Sequence, residues 1–227
     1  FRLSARAART TVSIALPRII NAIVWPMVWL SLTTTLLRFG EAELIGWGVL
    51  QRLSFTFGAV TSALAGALAY LVASSIGAGN RIQASRFTVA GVGVGIVCAV
   101  LFAAICVAMS PHLVDVFAAV PVGSGANGAD QVVAVLALAV PFAVMFELLE
   151  VCLQSSFRSR AFVALTVMRP LAVLLAFHLF GAMFELKGVL YGSLVGEAAM
   201  AMVVLWAAIR FGLVWRQQPP DERTIPS

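Results

Sequence analysis

The chain has 227 residues, of which 61% are hydrophobic and 11% charged, with a formal net charge of +5. Its mean hydropathy is +1.00, and ordinary soluble domains carry about 25% charged residues, so a soluble globular fold is excluded. The basic residues stand at the ends of apolar runs rather than among aromatics in one patch, so membrane lipid, not nucleic acid, is the expected partner.

Six apolar stretches are each long enough to cross a bilayer: roughly Thr11–Leu37, Gly46–Ile76, Thr88–Met109, Gln131–Ser155, Ala161–Phe184 and Val189–Phe211. Backbone groups in lipid must be satisfied within the segment, and the alternation of barrel strands is missing, so all six are expected to be helices. The predicted fold class is an all-α membrane protein, a bundle of six transmembrane helices over residues 1–216 with a tail over 217–227. No cleavable signal peptide is expected, because the basic start leads into a span too long for one.

Lys and Arg set the orientation. Arg2, Arg6, Arg9, Arg81, Arg86, Arg158, Arg160, Arg210, Arg216 and Arg223 fall on one side, against Arg38 and Lys187 on the other. The reading is a multi-pass protein of the cell membrane with both termini cytoplasmic.

In the first span Pro17 and Pro26 each remove a helical hydrogen bond and are expected to kink or loosen the helix. Arg18 is expected to snorkel to the interface, and Thr33, Thr34 and Thr35 to bond their own helix. Small residues recur every fourth position in the second span (Gly58, Ser62, Gly66), the third (Gly91, Gly95, Ala99, Ala103) and the sixth (Gly188, Gly192, Gly196), a pattern that lets helix backbones approach. Ile76–Arg81 reads as a helix end with a glycine turn. Pro111–Asp130 is the longest predicted loop, with a flexible tract at Gly123–Gly128. Cys98, Cys106 and Cys152 lie in apolar segments without metal-ligand spacing and read as small core residues.

The costliest stretch is the fourth span. Glu147 and Glu150 sit three residues apart on one helical face, with Gln154 one turn on. An ionised side chain near the bilayer centre costs at least ~2.5–3.5 kcal/mol, so this face must meet a partner or a watery cavity. Glu197, beside Gly196, is a third acid at similar depth. Counting from the turn at 156–160, Glu150 and Arg169 reach comparable depth on neighbouring helices, which matches them as an ion pair, with Glu147–Arg169 slightly less well matched. The expectation is that Glu150 is the structural partner of Arg169 and that Glu147, just past the Pro141 kink, is the exchangeable proton or cation site. Arg52 and His178 read as satisfied packing residues.

Enzyme chemistry is not expected. There is no Ser-His-Asp or Cys-His arrangement, no His-Glu-x-x-His and no phosphate loop. His112 and His178 do not make a metal centre, and no cofactor is implied beyond Na⁺ or H⁺ as a coupling ion.

Several segments resemble the C-terminal half of the multidrug and toxic compound extrusion (MATE) family. They are Leu37-Arg-Phe-Gly-Glu-Ala-Glu-Leu-Ile-Gly-Trp-Gly48 with Gln51-Arg52, Ser75-Ile-Gly-Ala-Gly79, Pro141-Phe142 and the glutamate helix, Met168-Arg-Pro-Leu171, and Ile209-Arg-Phe-Gly-Leu-Val-Trp-Arg216. One departure is Ser155-Ser-Phe157, where the family carries Gly-x-Gly. The resemblance implies one six-helix lobe of an antiporter that exchanges Na⁺ or H⁺ for cationic or amphiphilic small molecules, with the other lobe upstream or on a second chain. By position it points to Glu147 and Glu150 for cation or substrate binding. Two alternatives stand beside it. One is a flippase for a lipid-linked or polysaccharide precursor, for which Arg18, Arg52 and Arg169 would suit phosphate, and the other is a non-transporting membrane scaffold.

Overall fold

The computed structural model describes residues 5–118, 128–156 and 159–213, with side chains described over 19–117, 128–156 and 162–213. Every regular element among them is helical: α1 Ala5–Leu37, α2 Glu41–Gly77, α3 Arg81–Ala108, α4 Ser110–Ala118, α5 Ala129–Ala137, α6 Val140–Ser155 and α7 Ser159–Arg210. The predicted tail over 217–227, the tract from Gly123 to Asn127, and the side chains of Pro17 and Arg18 lie outside this description.

Two of the rods are divided. α7 supplies a 49-residue stretch of high hydropathy, Phe162–Arg210, about twice the 20 or so residues that one crossing needs. It reverses at Phe184 (φ −132°, ψ 18°) and Glu185 (φ 55°, ψ −136°) into a first arm, 159–183, and a second, 186–210. The second arm thus begins three residues before the predicted Val189. α5 and α6 form a single apolar rod, Ala129–Ser155, with a step at Leu138 and Ala139, whose N–H groups donate to Val135 and Leu136 in the tighter i→i−3 pattern. Pro141, in the first turn of α6, has no N–H to continue the ladder, which places the step. By contrast α1 runs unbroken through Pro17 and Pro26, so the expected kinks do not interrupt it.

The predicted loop Pro111–Asp130 is mostly helix at its ends. α4 follows α3 after a change of direction at Met109 (φ −106°, ψ 8°), and α5 has started by Ala129. Ile76–Arg81 does close as a glycine turn. Gly79 takes φ +76°, Asn80 N–H donates back to Ser75 O at 2.9 Å, and the Asn80 side chain then accepts from Gln83 N–H to cap α3. One residue therefore ends one helix and begins the next.

α6 is the central rod, packed against α2, α3 and α7. Two apolar cores lie along the α5–α6 rod, one beside α6 and one beside α5. One gathers Leu68, Val72, Ala99, Leu148, Cys152, Leu153 and Val204, and the other gathers Leu36, Val49, Val132, Val133, Phe177 and Leu190. The small-residue stripes behave unequally. Gly192 and Gly196 bring the arms of α7 together, so that β-carbons there would stand 2.7 Å from Ala176 O and 2.9 Å from Val173 Cα. Gly58 and Gly66 of α2 face open space, and Gly58 and Ser62 border the cleft described next. That stripe is a wall of a cavity rather than a helix seam.

Candidate functional site

Between α1 and the rest of the bundle lies an open cleft of about 940 Å³. Glu147, Glu150, Glu197, Arg169 and Pro26 all line it; Pro141 does not, although the step it creates contributes Ala139 and Val140 to the wall. Four stretches scattered over 170 residues of sequence are thus brought to one surface. Their common face follows from α6, whose Glu147 and Glu150 project away from the core that Phe146, Leu148, Leu149 and Leu153 fill on the other side.

Arg169 does not give its fork to Glu150. Its Nε donates to Glu197 Oε2 at 3.0 Å and its Nη2 to Glu197 Oε1 at 3.1 Å, the bidentate geometry that makes Arg–carboxylate pairs strong. Matching depth along the helices was insufficient because it leaves rotation about each axis free. Rotation is set by the glycine seam: Gly196 packs on Val173 Cα, so Glu197, one residue on, faces Arg169, one turn before Val173. The side chains keep only 13% and 10% exposure. The guanidinium carbon also lies 5.0 Å from the Trp25 ring centroid and 4.8 Å from that of Phe146, within the range of a cation–π contact.

Glu150 instead meets the Thr166 hydroxyl, which also reaches Phe162 O at 2.8 Å. A hydroxyl has one proton and two lone pairs. Thr166 can therefore donate to an ionised Glu150, or donate to Phe162 O and accept from a protonated Glu150.

The rest of the wall escaped sequence reading. Asn21, Trp25 and Trp29 of α1 and Gln51, Phe55 and Gly58 of α2 line the cleft, and their spacing of three and four residues was the signal available. Trp25 and Trp29 have centroids 6.4 Å apart, and Phe55 meets Trp29 edge-on at 5.9 Å. The Oδ1 of Asn21 is buried with no hydrogen-bond partner among the described residues. Arg52 and His178 lie elsewhere and have partners: Arg52 Nη1 donates to Phe117 O at 3.1 Å, and His178 Nε2 shares a 3.0 Å hydrogen bond with Ser31. No group of three or more His, Cys, Asp or Glu suited to a metal ion occurs among the described residues.

An acidic, aromatic-walled cleft in a bundle of membrane-length helices is the arrangement that the comparisons with known proteins bear on. The family model MatE matches residues 17–178. The chain belongs to the MatE family. The matched region holds α1 from residue 17 onward, α2 to α6 and most of the first arm of α7, including Arg169 and both glutamates of α6.

Solved structures share the fold. A multidrug resistance MATE transporter of the MOP superfamily in an outward-facing conformation superposes with a TM-score of 0.81 at 15% identity, covering 92% of this chain and 48% of that one. A MATE structure in a bent conformation gives 0.81 at 15% identity, with 92% and 47% covered. A MOP superfamily transporter from Pyrococcus furiosus, described as having reverse polarity of its binding pocket, gives 0.78 at 15% identity, with 92% and 48% covered. This MatE chain spans about half the length of the structures it matches. No curated protein matches it significantly.

Proposed function

We propose that this chain is one lobe of a secondary transporter that exports cationic or amphiphilic small molecules in exchange for Na⁺ or H⁺ by alternating access. The observation that carries the reading is the convergence of Glu147, Glu150 and Glu197 on one open, aromatic-walled cleft. Buried carboxylates facing a cavity are the usual mark of an ion or proton path through a membrane, and apolar walls with a few placed polar groups suit small-molecule cargo. A second lobe, upstream or on another chain, would close the cleft, in keeping with the half-length match. The dispersed arginines favour both termini in the cytoplasm.

Within this reading Glu197 neutralises Arg169, and Glu147 is the exchangeable site. Glu150 shares that task, because Thr166 serves it in either protonation state. The Asn21 oxygen, without a hydrogen-bond partner among the described residues, adds a neutral ligand of the kind hard cations accept. The flippase reading has less support among the described residues: of the arginines that would suit phosphate, Arg169 is paired with Glu197 and Arg52 lines a separate pocket beside Phe117, while the Arg18 side chain lies outside the description.

The test is transport by the purified protein in proteoliposomes under imposed Na⁺ or pH gradients. Glu147→Gln is expected to abolish the dependence on whichever gradient drives the wild type. Unchanged coupling would remove Glu147 from the mechanism. Loss of assembly alone, with no coupling defect in the folded fraction, would favour the scaffold, and translocation of a lipid-linked precursor in place of a dye would favour the flippase.

A further inference from the structure

Arg169 is held by groups that would equally hold a free organic cation. Trp25 and Phe146 present ring faces at 5.0 and 4.8 Å, and Glu197 meets the edge of the guanidinium with two hydrogen bonds. Two faces and a matching carboxylate make an aromatic cage of the sort that recognises ammonium and guanidinium groups. The three walls come from α1, α6 and the second arm of α7. Arg169 reaches in from a fourth element, the first arm.

The pair joins the two arms of α7 beside the glycine seam, yet tying the arms alone calls for no aromatic faces on the guanidinium. Arg169, Glu197 and Trp25 also border the cleft, where a ligand entering the cavity meets Trp25 and Glu197 directly; Phe146, 1% exposed, becomes reachable only when Arg169 withdraws.

We propose that Trp25, Phe146 and Glu197 form an organic-cation subsite whose resident occupant is Arg169, and that cargo bearing a guanidinium or ammonium group binds by taking its place. The inference rests on the export reading for the identity of the cargo; the subsite itself rests on the geometry. Loading releases a contact that joins α1, α6 and both arms of α7, so occupancy of the cleft is communicated to the elements around it.

The test is a titration with methylguanidinium, with N-methylurea as the uncharged isostere, on the purified protein in lipid nanodiscs without any ion gradient. Arg169→Gln is expected to bind methylguanidinium at least about tenfold more tightly than wild type and N-methylurea no better. Adding Glu197→Gln or Trp25→Leu should abolish the gain. A purely structural Arg169 predicts weaker or unchanged binding in Arg169→Gln, and that result overturns the proposal. If Arg169→Gln does not fold, Arg169→Lys decides: it keeps the charge but loses the planar fork, so affinity above wild type is expected, and affinity at or below wild type overturns the proposal. Because the titration needs no transport, a gain in affinity without cation export sinks the export reading alone, and export without the gain sinks the subsite alone.

Discussion

Gly188 stands against the carbonyl oxygen of Phe180, where a β-carbon would lie only 1.9 Å away. The two residues face each other across the reversal of α7, four residues on one side of Phe184 and three on the other side of Glu185. The contact lets two membrane-length arms run side by side from a turn of two non-helical residues. Gly188→Ala is therefore expected to push the arms apart at their root. The offending atom is backbone and cannot rotate away, so the cost should reach that of overpacking, about 1–3 kcal/mol or more, visible as a lowered unfolding midpoint in detergent.

Glu185 supplies the opposite prediction. It is the one non-glycine residue with positive φ among the described residues, at φ 55° and ψ −136°, outside even the left-handed helical basin, a conformation that costs an L side chain on the order of 1–3 kcal/mol. Glu185→Gly should relieve that cost, less what glycine adds to the entropy of the unfolded chain. The net expectation is a stabilisation of about 0.5–1 kcal/mol, while Glu185→Ala should give little or none. Thermal unfolding of the three proteins side by side checks this.

Arg169 and Glu197 should be strongly coupled in stability. Removing one partner strands a largely buried charge, which costs on the order of 3–5 kcal/mol, whereas removing both costs far less. A double-mutant cycle with Arg169→Gln and Glu197→Gln should thus show a coupling of about 2 kcal/mol or more. Simple additivity in unfolding free energy would mean that the bidentate contact carries little energy.

Thr166→Val keeps shape while removing the hydroxyl that meets Glu150. If Glu150 exchanges protons, the variant should move the pH midpoint of transport, because the hydroxyl stabilises both forms of the carboxyl unequally. If Glu150 only holds structure, stability should fall by about 1–2 kcal/mol with the pH profile unmoved. Transport measured across pH separates the two.

Asn21→Leu distinguishes the coupling ions. An amide oxygen can coordinate a metal cation but does not take up a proton in the physiological range, so the substitution should weaken Na⁺-driven transport several-fold and leave H⁺-driven transport near wild type. Equal loss under both gradients would place Asn21 in packing alone.

The membrane class, the helical fold and the acidic face of α6 were legible in the chain itself, because lipid demands that every backbone group be bonded within its segment and that charge be hidden. Residue type and spacing carry that information. The glycine turn at Ile76–Arg81 was legible for the same local reason. What the linear order could not carry was azimuth. Glu150 and Glu197 compete for Arg169 at similar depth, and the choice rests on how the arms of α7 rotate to seat Gly192 and Gly196 against Ala176 and Val173. Likewise the Gly58–Ser62 stripe looks like a seam in one dimension and proves to be a cavity wall, since whether a small residue meets a helix or a void depends on the neighbour opposite. The length and composition of the apolar stretches therefore settled what must be buried in lipid, and only tertiary packing decided which buried charge answers which, and where the cleft between them opens.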